Sequence, residues 1–219
     1  MEKLMNQTAL TAIAAAALLA ACSGGKEASK STFEKSINQY TKQNGVCLPL
    51  ALNIQNPQGF ESRNNVMLGE PLILVAERDL NGNKINETAL KQLKIVDKEG
   101  FYKEGDSETL SAPDDNKIKI RSYQLTEKGM AQTLESPHGP LFCIGTQEVD
   151  KINWFTQPTP SDGVTVSKVS YQAKFKPESW AKKLLKEGGS EWERIGNIRT
   201  QTATLVRTNE GWRDIRELR

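Results

Sequence analysis

From Leu10 to Ala21 the chain is an Ala/Leu/Ile run broken by Thr11 alone, and it stops at Cys22. A run of that length fits the apolar centre of an export signal, with Lys3 as its positive flank. It falls short of the roughly 18–20 apolar residues that a membrane-spanning helix needs. No later stretch approaches that length. Residues 22–31 are small and polar, cannot bury apolar area, and read as a flexible tether. Whatever folds lies downstream of Ser31, and it must close its core in water.

Leu19-Ala20-Ala21-Cys22, followed by Ser23-Gly24-Gly25, resembles the processing site of bacterial lipoproteins. The resemblance implies a signal peptide over 1–21, cleavage before Cys22 and diacylation of the Cys22 thiol. Two or three acyl chains hold far better than one, since each buried methylene contributes roughly 0.8 kcal/mol. Ser23, in place of an aspartate after the cysteine, is similar to the outer-membrane sorting signal of enterobacteria-like organisms. The implied place is a bacterial membrane, the outer in preference to the inner, facing the periplasm. A cleavable signal with an incidental cysteine is the alternative reading.

With Cys22 assigned to lipid, Cys47 and Cys143 remain. In an oxidising compartment an isolated pair is expected to form a disulfide, here closing a loop of about 96 residues. Such a bridge ties the N-terminal part to the C-terminal strands. Two buried thiols are the alternative, and neither cysteine lies in a Cys-x-x-Cys motif. Charge is nearly balanced, with 29 basic and 27 acidic residues. That composition does not support a nucleic-acid partner, and an exported chain would rarely meet one.

Two amphipathic helices are expected. Over Ser31–Asn44, Phe33, Ile37 and Tyr40 share a face, with Ser31 or Thr32 as cap and Gly45 beyond the end. A second starts at Asn86 or Thr88, places Ala89, Leu93 and Val96 on one face, and stops at Gly100. Between them, Leu72-Ile73-Leu74-Val75-Ala76 fits a strand or a buried helix equally well. After Phe101-Tyr102 comes a polar excursion through Asp114 and Asp115. A strand over 117–125 then runs into Thr126-Glu127-Lys128-Gly129. This order resembles winged-helix modules, which implies a helical, winged-helix-like part over 32–140. Such modules read DNA through a basic second helix. Here Lys91, Lys94 and Lys98 are set against Glu87, Asp97 and Glu99, so the resemblance implies a scaffold for protein contacts.

From Leu141 the pattern changes to strands. Phe142, Ile144, Ile152 and Trp154 share one parity, with Val149 on the other. Val164 and Val166 share a parity that Val169, Tyr171, Ala173 and Phe175 do not, which predicts a β-bulge near Ser167-Lys168. Pro177 begins a short helix. Residues 198–208 are a strand, and Asn209-Glu210-Gly211 turns into a last strand from Trp212. This ending resembles the C-terminal parts of small uncharacterised bacterial lipoproteins, some of them similar to cystatin-like or nuclear-transport-factor-like curved sheets. The expected fold is α+β: the winged-helix-like part docked on a C-terminal antiparallel sheet over 141–219 with one short helix.

The chemistry available is sparse. His138 is the one histidine and sits in the loop Ser136-Pro137-His138-Gly139-Pro140, with no Gly-x-Ser-x-Gly string to supply a nucleophile. One histidine and one cysteine pair make a poor metal set, and no glycine pattern for phosphates or dinucleotides is present, so no cofactor is expected. Asp114-Asp115 and Glu191/Glu193 lie in polar stretches. Arg199 and Arg207 share a strand parity and, with Arg213, offer a basic sheet face for anionic envelope polymers or an acidic partner. An ordinary solvated face is the plainer reading. The four tryptophans, Trp154, Trp180, Trp192 and Trp212, read as core. The expected function is a membrane-anchored, non-enzymatic binding or scaffold protein with an envelope protein as partner. A small-ligand carrier or sensor using a concave sheet pocket is the alternative, and a cell-wall hydrolase a third.

Overall fold

The computed structural model describes residues 27–57, 66–111, 117–189, 192 and 199–218. The expected export signal and Cys22 lie outside the described residues, as do Asp114, Asp115, Glu191 and Glu193. In chain order the elements are α1 (Lys30–Gln43), β1 (Val46–Leu48), β2 (Ala51–Leu52), β3 (Val66–Met67), β4 (Leu72–Ala76), α2 (Glu87–Lys98), β5 (Tyr102–Glu104), β6 (Glu108–Ser111) and β7 (Lys117–Leu125). Then follow α3 (Glu127–Ala131), β8 (Thr133–Leu134), β9 (Leu141–Phe155), β10 (Thr159–Ser161), β11 (Val164–Pro177), α4 (Ser179–Glu187), β12 (Arg199–Thr208), β13 (Gly211–Asp214) and a closing 3-10 turn, Ile215–Leu218.

The expected winged-helix-like part over 32–140 is not what forms. Among the described residues the chain between α1 and β8 holds seven strands and two helices, and α1 does not pack with α2 to make a helical unit. The reason lies just after the helix. Gly45 alone separates Asn44 from β1, and β1 pairs antiparallel with β9, matching Cys47 to Cys143 and Leu48 to Phe142. Helix α1 is thereby committed to the large sheet, in the order β1-β9-β11-β12-β13 with β8 on β9 and β10 on β11. Phe33 and Ile37 are fully buried against Val149, Ile152, Val169, Tyr171, Ala203, Leu205 and Trp212. Two polar contacts fix its height: Ser36 Oγ donates to Trp212 O at 2.7 Å, and Val149 N donates to Asn38 Oδ1 at 2.7 Å. The helix is capped by Ser29, whose Oγ accepts from Thr32 N, two or three residues earlier than expected. At the other end Asn44 stays extended, and Gly45 lets β1 run close to β9: a Cβ there would stand 3.3 Å from Gly145 O, a tight contact.

A second core lies on the far side of β9. The small sheet, β4-β7-β5 with β6 also on β7, turns Ile73, Val75, Tyr102 and Tyr123 inward. Ala89, Leu93 and Val96 of α2 and Trp180, Ala181 and Leu184 of α4 close over it. Phe142 and Ile144 of β9 complete this core, with Phe101 edge-on to Phe142 at 5.6 Å and to Trp180 at 4.8 Å. Tyr102 is locked by its hydroxyl, which accepts from Gly69 N at 2.8 Å and donates to Glu70 O at 2.9 Å. Gly69 has φ +104°, and a Cβ there would lie 2.7 Å from Pro140, so this turn needs glycine.

One strand thus serves both cores on opposite faces, and two bulges make that work. Against β11, Lys151 pairs with Gln172 and Val149 with Ala173, leaving Asp150 as an extra residue. Trp154 pairs with Ser170 and Ile152 with Tyr171, leaving Asn153 extra. The side chains that point at α1 are therefore Gln147, Val149, Ile152 and Phe155, nearly a three-residue repeat, and Trp154 points the other way. The bulge expected near Ser167-Lys168 is absent, because β11 and β12 pair without a break from Thr165↔Arg207 to Ala173↔Arg199. Ser167 takes the inward place instead, buried with its hydroxyl donated to Thr156 O at 2.7 Å. Trp180, Trp192 and Trp212 are core residues; Trp154 is 53% exposed.

Candidate functional site

The face of the large sheet that carries α1 is apolar under Phe33 and Ile37 and polar beyond them. Tyr171 Oη donates to Gln201 Oε1 at 2.9 Å, and Gln201 Nε2 donates to Gln147 Oε1 at 3.0 Å. Burial pushes the Tyr171 phenol above its ordinary range. Nearby, Asp214 is fully buried. Arg216 grips it with Nε and Nη2 at 2.8 and 2.7 Å, and its own backbone N donates to Oδ1 at 3.0 Å. The Arg216 guanidinium lies 4.0 Å from the Tyr40 ring centroid, which ties the last turn of α1 to the end of the chain. Hydrogen bonding to Asp214 raises the Arg216 pKa further above its already high value, so the guanidinium stays charged.

Past this network, Val46, Leu48, Gln147, Ala173, Phe175, Arg199 and Gln201 line a cavity of about 190 Å³. Ligand pockets ordinarily run to about 300–1,000 Å³. A wider hollow of about 560 Å³ lies between β2, the start of α2 and Trp192. Its Asn86 is a fastener: the side chain accepts from Gln55 N at 2.6 Å and donates to Gln55 O at 2.8 Å and Ala76 O at 2.9 Å.

The structure does not assemble the expected arginine face. Arg199 and Arg207 point to the α1 side of β12 but sit eight residues apart, about 26 Å along a strand. Arg213 faces the opposite way, beside Val206, and is paired with Glu210 at 2.9 Å and Glu217 at 3.6 Å. Cys47 and Cys143 are joined as a disulfide across β1 and β9. His138 is exposed in a tight turn in which Ser136 Oγ donates to Gly139 O at 2.6 Å, so that hydroxyl proton is not turned toward the imidazole. Among the described residues no group of three or more His, Cys, Asp or Glu could hold a metal ion.

Removing Arg216 would strand the Asp214 carboxylate with one backbone donor. The expected cost of Arg216→Ala is about 3 kcal/mol, as for other buried pairs broken from one side. Adding Asp214→Asn should restore part of that loss. Urea denaturation of the three variants measures it, and equal midpoints for Arg216→Ala and wild type would show that the pair does not hold the chain end.

Two surface features escaped the sequence reading. Strand β4 has β7 as its one neighbour among the described residues, and Leu72 and Leu74 on it are 49% and 44% exposed. Leu125 N donates to Pro71 O at 2.9 Å, so alternate residues Ile73 and Val75 also bond toward β7. The N–H and C=O groups of Leu72 and Leu74 point to the open side. At the Ala76 end the edge is closed by Asn86. The second feature is Trp154. No helix among the described residues is long and apolar enough to cross a membrane. No protein-family model, curated protein or solved structure matches this chain.

Proposed function

We propose that this is a lipid-anchored envelope protein that acts by binding, and that β4 is where a partner protein adds an extended strand. The observation that carries the reading is the open edge of β4 with Leu72 and Leu74 outward. Sheet edges are ordinarily guarded by charge, proline or bulges, because an unguarded one templates pairing. Here Pro71 precedes the strand and Glu77-Arg78 follow it, but the stretch between is apolar throughout. Strand addition takes its affinity from main-chain hydrogen bonds and its specificity from alternate side chains. Leu72 and Leu74 are the alternate pair available. The lipid anchor at Cys22 would keep this edge close to a membrane surface.

The two other readings are less well supported. Helix α1 occupies the face that a small-ligand carrier would use and leaves beside it a cavity of about 190 Å³, smaller than an ordinary ligand pocket. A glycan hydrolase of the common kind uses two facing carboxylates, whereas Asp214 is the one buried acid among the described residues and Arg216 occupies both its oxygens.

A photo-crosslinking residue at position 74 in living cells should capture one envelope protein, and the same residue at the exposed Lys119 should not. Leu72→Lys, beside the crosslinking residue at 74, should abolish the capture while shifting stability by no more than about 0.5 kcal/mol, since that side chain is half exposed. Identical captures from positions 74 and 119, or none from 74, would sink the reading.

A further inference from the structure

We infer that the uncovered half of the outer face of the large sheet is a contact surface for anionic lipid headgroups; the inference rests on the anchored reading above. One half of that face is covered, where Phe142 and Ile144 enter the second core. The other half presents Lys151 and Trp154 from β9, Lys168, Gln172 and Lys174 from β11, and Thr200, Thr202 and Thr204 from β12, placed together by the pairing of the three strands. Lys151, Lys168 and Lys174 are exposed and make no salt bridge with any described residue. Of the acids on these strands, Glu148 is held by Lys176 at 2.7 Å, and Asp150 stands exposed in its bulge. The surface is cationic with one indole at its end.

A solvated sheet face accounts for the lysines and threonines. It leaves half of Trp154 in water, with no ring or hydrogen-bond partner among the described residues. Indoles favour the headgroup layer of a bilayer, and lysine stems can lie along it while their ammonium groups reach phosphate.

The place where the chain enters the fold supports the same occupant. Phe155, next to Trp154, is edge-on to Phe33 at 4.9 Å. Phe33 is in the first turn of α1, and Ala28 packs into the same cluster. The tether therefore reaches the body at the Trp154 end of the sheet. From Cys22 to Ala28 an extended chain spans about 20 Å. A diacylated Cys22 would hold Trp154 near the bilayer, where three lysines can settle onto anionic lipid.

The test uses the mature protein with phosphatidylcholine vesicles, with and without phosphatidylglycerol, made with brominated acyl chains that quench nearby tryptophan. Trp180, Trp192 and Trp212 are buried, so Trp154 is the reporter. Flotation with both vesicle types, and quenching with the anionic ones alone, is the expected result. Trp154→Phe should remove the quenching. Each of Lys151→Glu, Lys168→Glu and Lys174→Glu should weaken the contact roughly five-fold or more. These side chains are exposed, so the variants should fold, and an intact disulfide with unchanged circular dichroism checks that. Flotation without quenching would overturn the headgroup surface and leave the anchor standing. Flotation with anionic vesicles alone, lost on lysine reversal and kept in Cys22→Ala, would support the surface and overturn the anchor. No flotation with either vesicle would overturn both.

Discussion

Replacing Cys47 and Cys143 together with alanine should lower the stability of the folded body by about 4 kcal/mol. The two residues are 96 positions apart, and fixing so distant a pair in the unfolded chain removes conformational freedom worth roughly 4–5 kcal/mol in the chain-entropy treatment. For a chain of this size the loss corresponds to a melting temperature lowered by about 8–16 °C. The native side of the balance works in the same direction. Strand β1 is three residues long and its register against β9 shifts between Val46 and Cys47, so its ladder alone is a weak clasp. It nonetheless links α1 on one face of the large sheet to Phe142 and the second core on the other. The double variant is the right probe, since a single replacement leaves a free thiol. An accompanying rise in the urea m-value would report a more expanded unfolded state. A midpoint within about 1 kcal/mol of wild type would show that packing around Leu48 and Phe142, not the bridge, holds β1 in place.

How much of this was legible differs from element to element. The faces of α1 and α2 could be read directly, since Phe33 with Ile37 and Ala89 with Leu93 and Val96 fall at helical spacing. What α1 packs against could not be read: an apolar stripe says that a helix will dock, and the neighbour is chosen by chain connection, here through β1. Strand β4 stayed ambiguous because all five of its residues are apolar, so the alternation that buries Ile73 and Val75 and exposes Leu72 and Leu74 leaves no trace in composition. In β9 strict alternation misplaced Ile152, grouping it with Phe142, Ile144 and Trp154, whereas it turns inward beside Val149. Two bulges set the inward positions at 147, 149, 152 and 155, and a parity rule cannot survive even one inserted residue. The arginines show a related fault. Parity relates Arg199 to Arg207 within one strand, but the turn into β13 brings Arg213 beside the outward Val206. Its neutralising acids, Glu210 and Glu217, are three and four residues away in the chain. The cysteine pair was the most legible tertiary feature because it needs only a count and a compartment.

Phe33→Ala should cost about 3–5 kcal/mol, and the loss should fall first on α1. Phe33 has no exposed surface, and its ring meets Phe155 at 4.9 Å and Trp212 at 5.0 Å, both edge-on. Truncating a buried phenylalanine removes its transfer free energy and leaves a cavity that a β-sheet floor cannot collapse to fill. The two edge-on contacts add about 0.5–1.5 kcal/mol each beyond area. A helix of 14 residues is marginal alone in water. With its principal anchor gone, α1 would keep Ile37, the Ser36 and Asn38 hydrogen bonds and the Arg216–Tyr40 contact, all from mid-helix onward. Its first turn should open, and amide hydrogen exchange over 30–35 should accelerate more than exchange in α2, which belongs to the other core. Phe33→Leu, which refills much of the space, should cost about 1–2 kcal/mol and leave that ordering intact. Equal acceleration in α1 and α2 would show instead that the cores unfold as one unit and that Phe33 has no local role. The distinction bears on the anchored state. If the proposed anchor at Cys22 holds, the chain enters the body at the first turn of α1, any pull between membrane and body would be applied where Phe33 is the deepest contact, and docking of that ring would set how firmly the body follows its anchor.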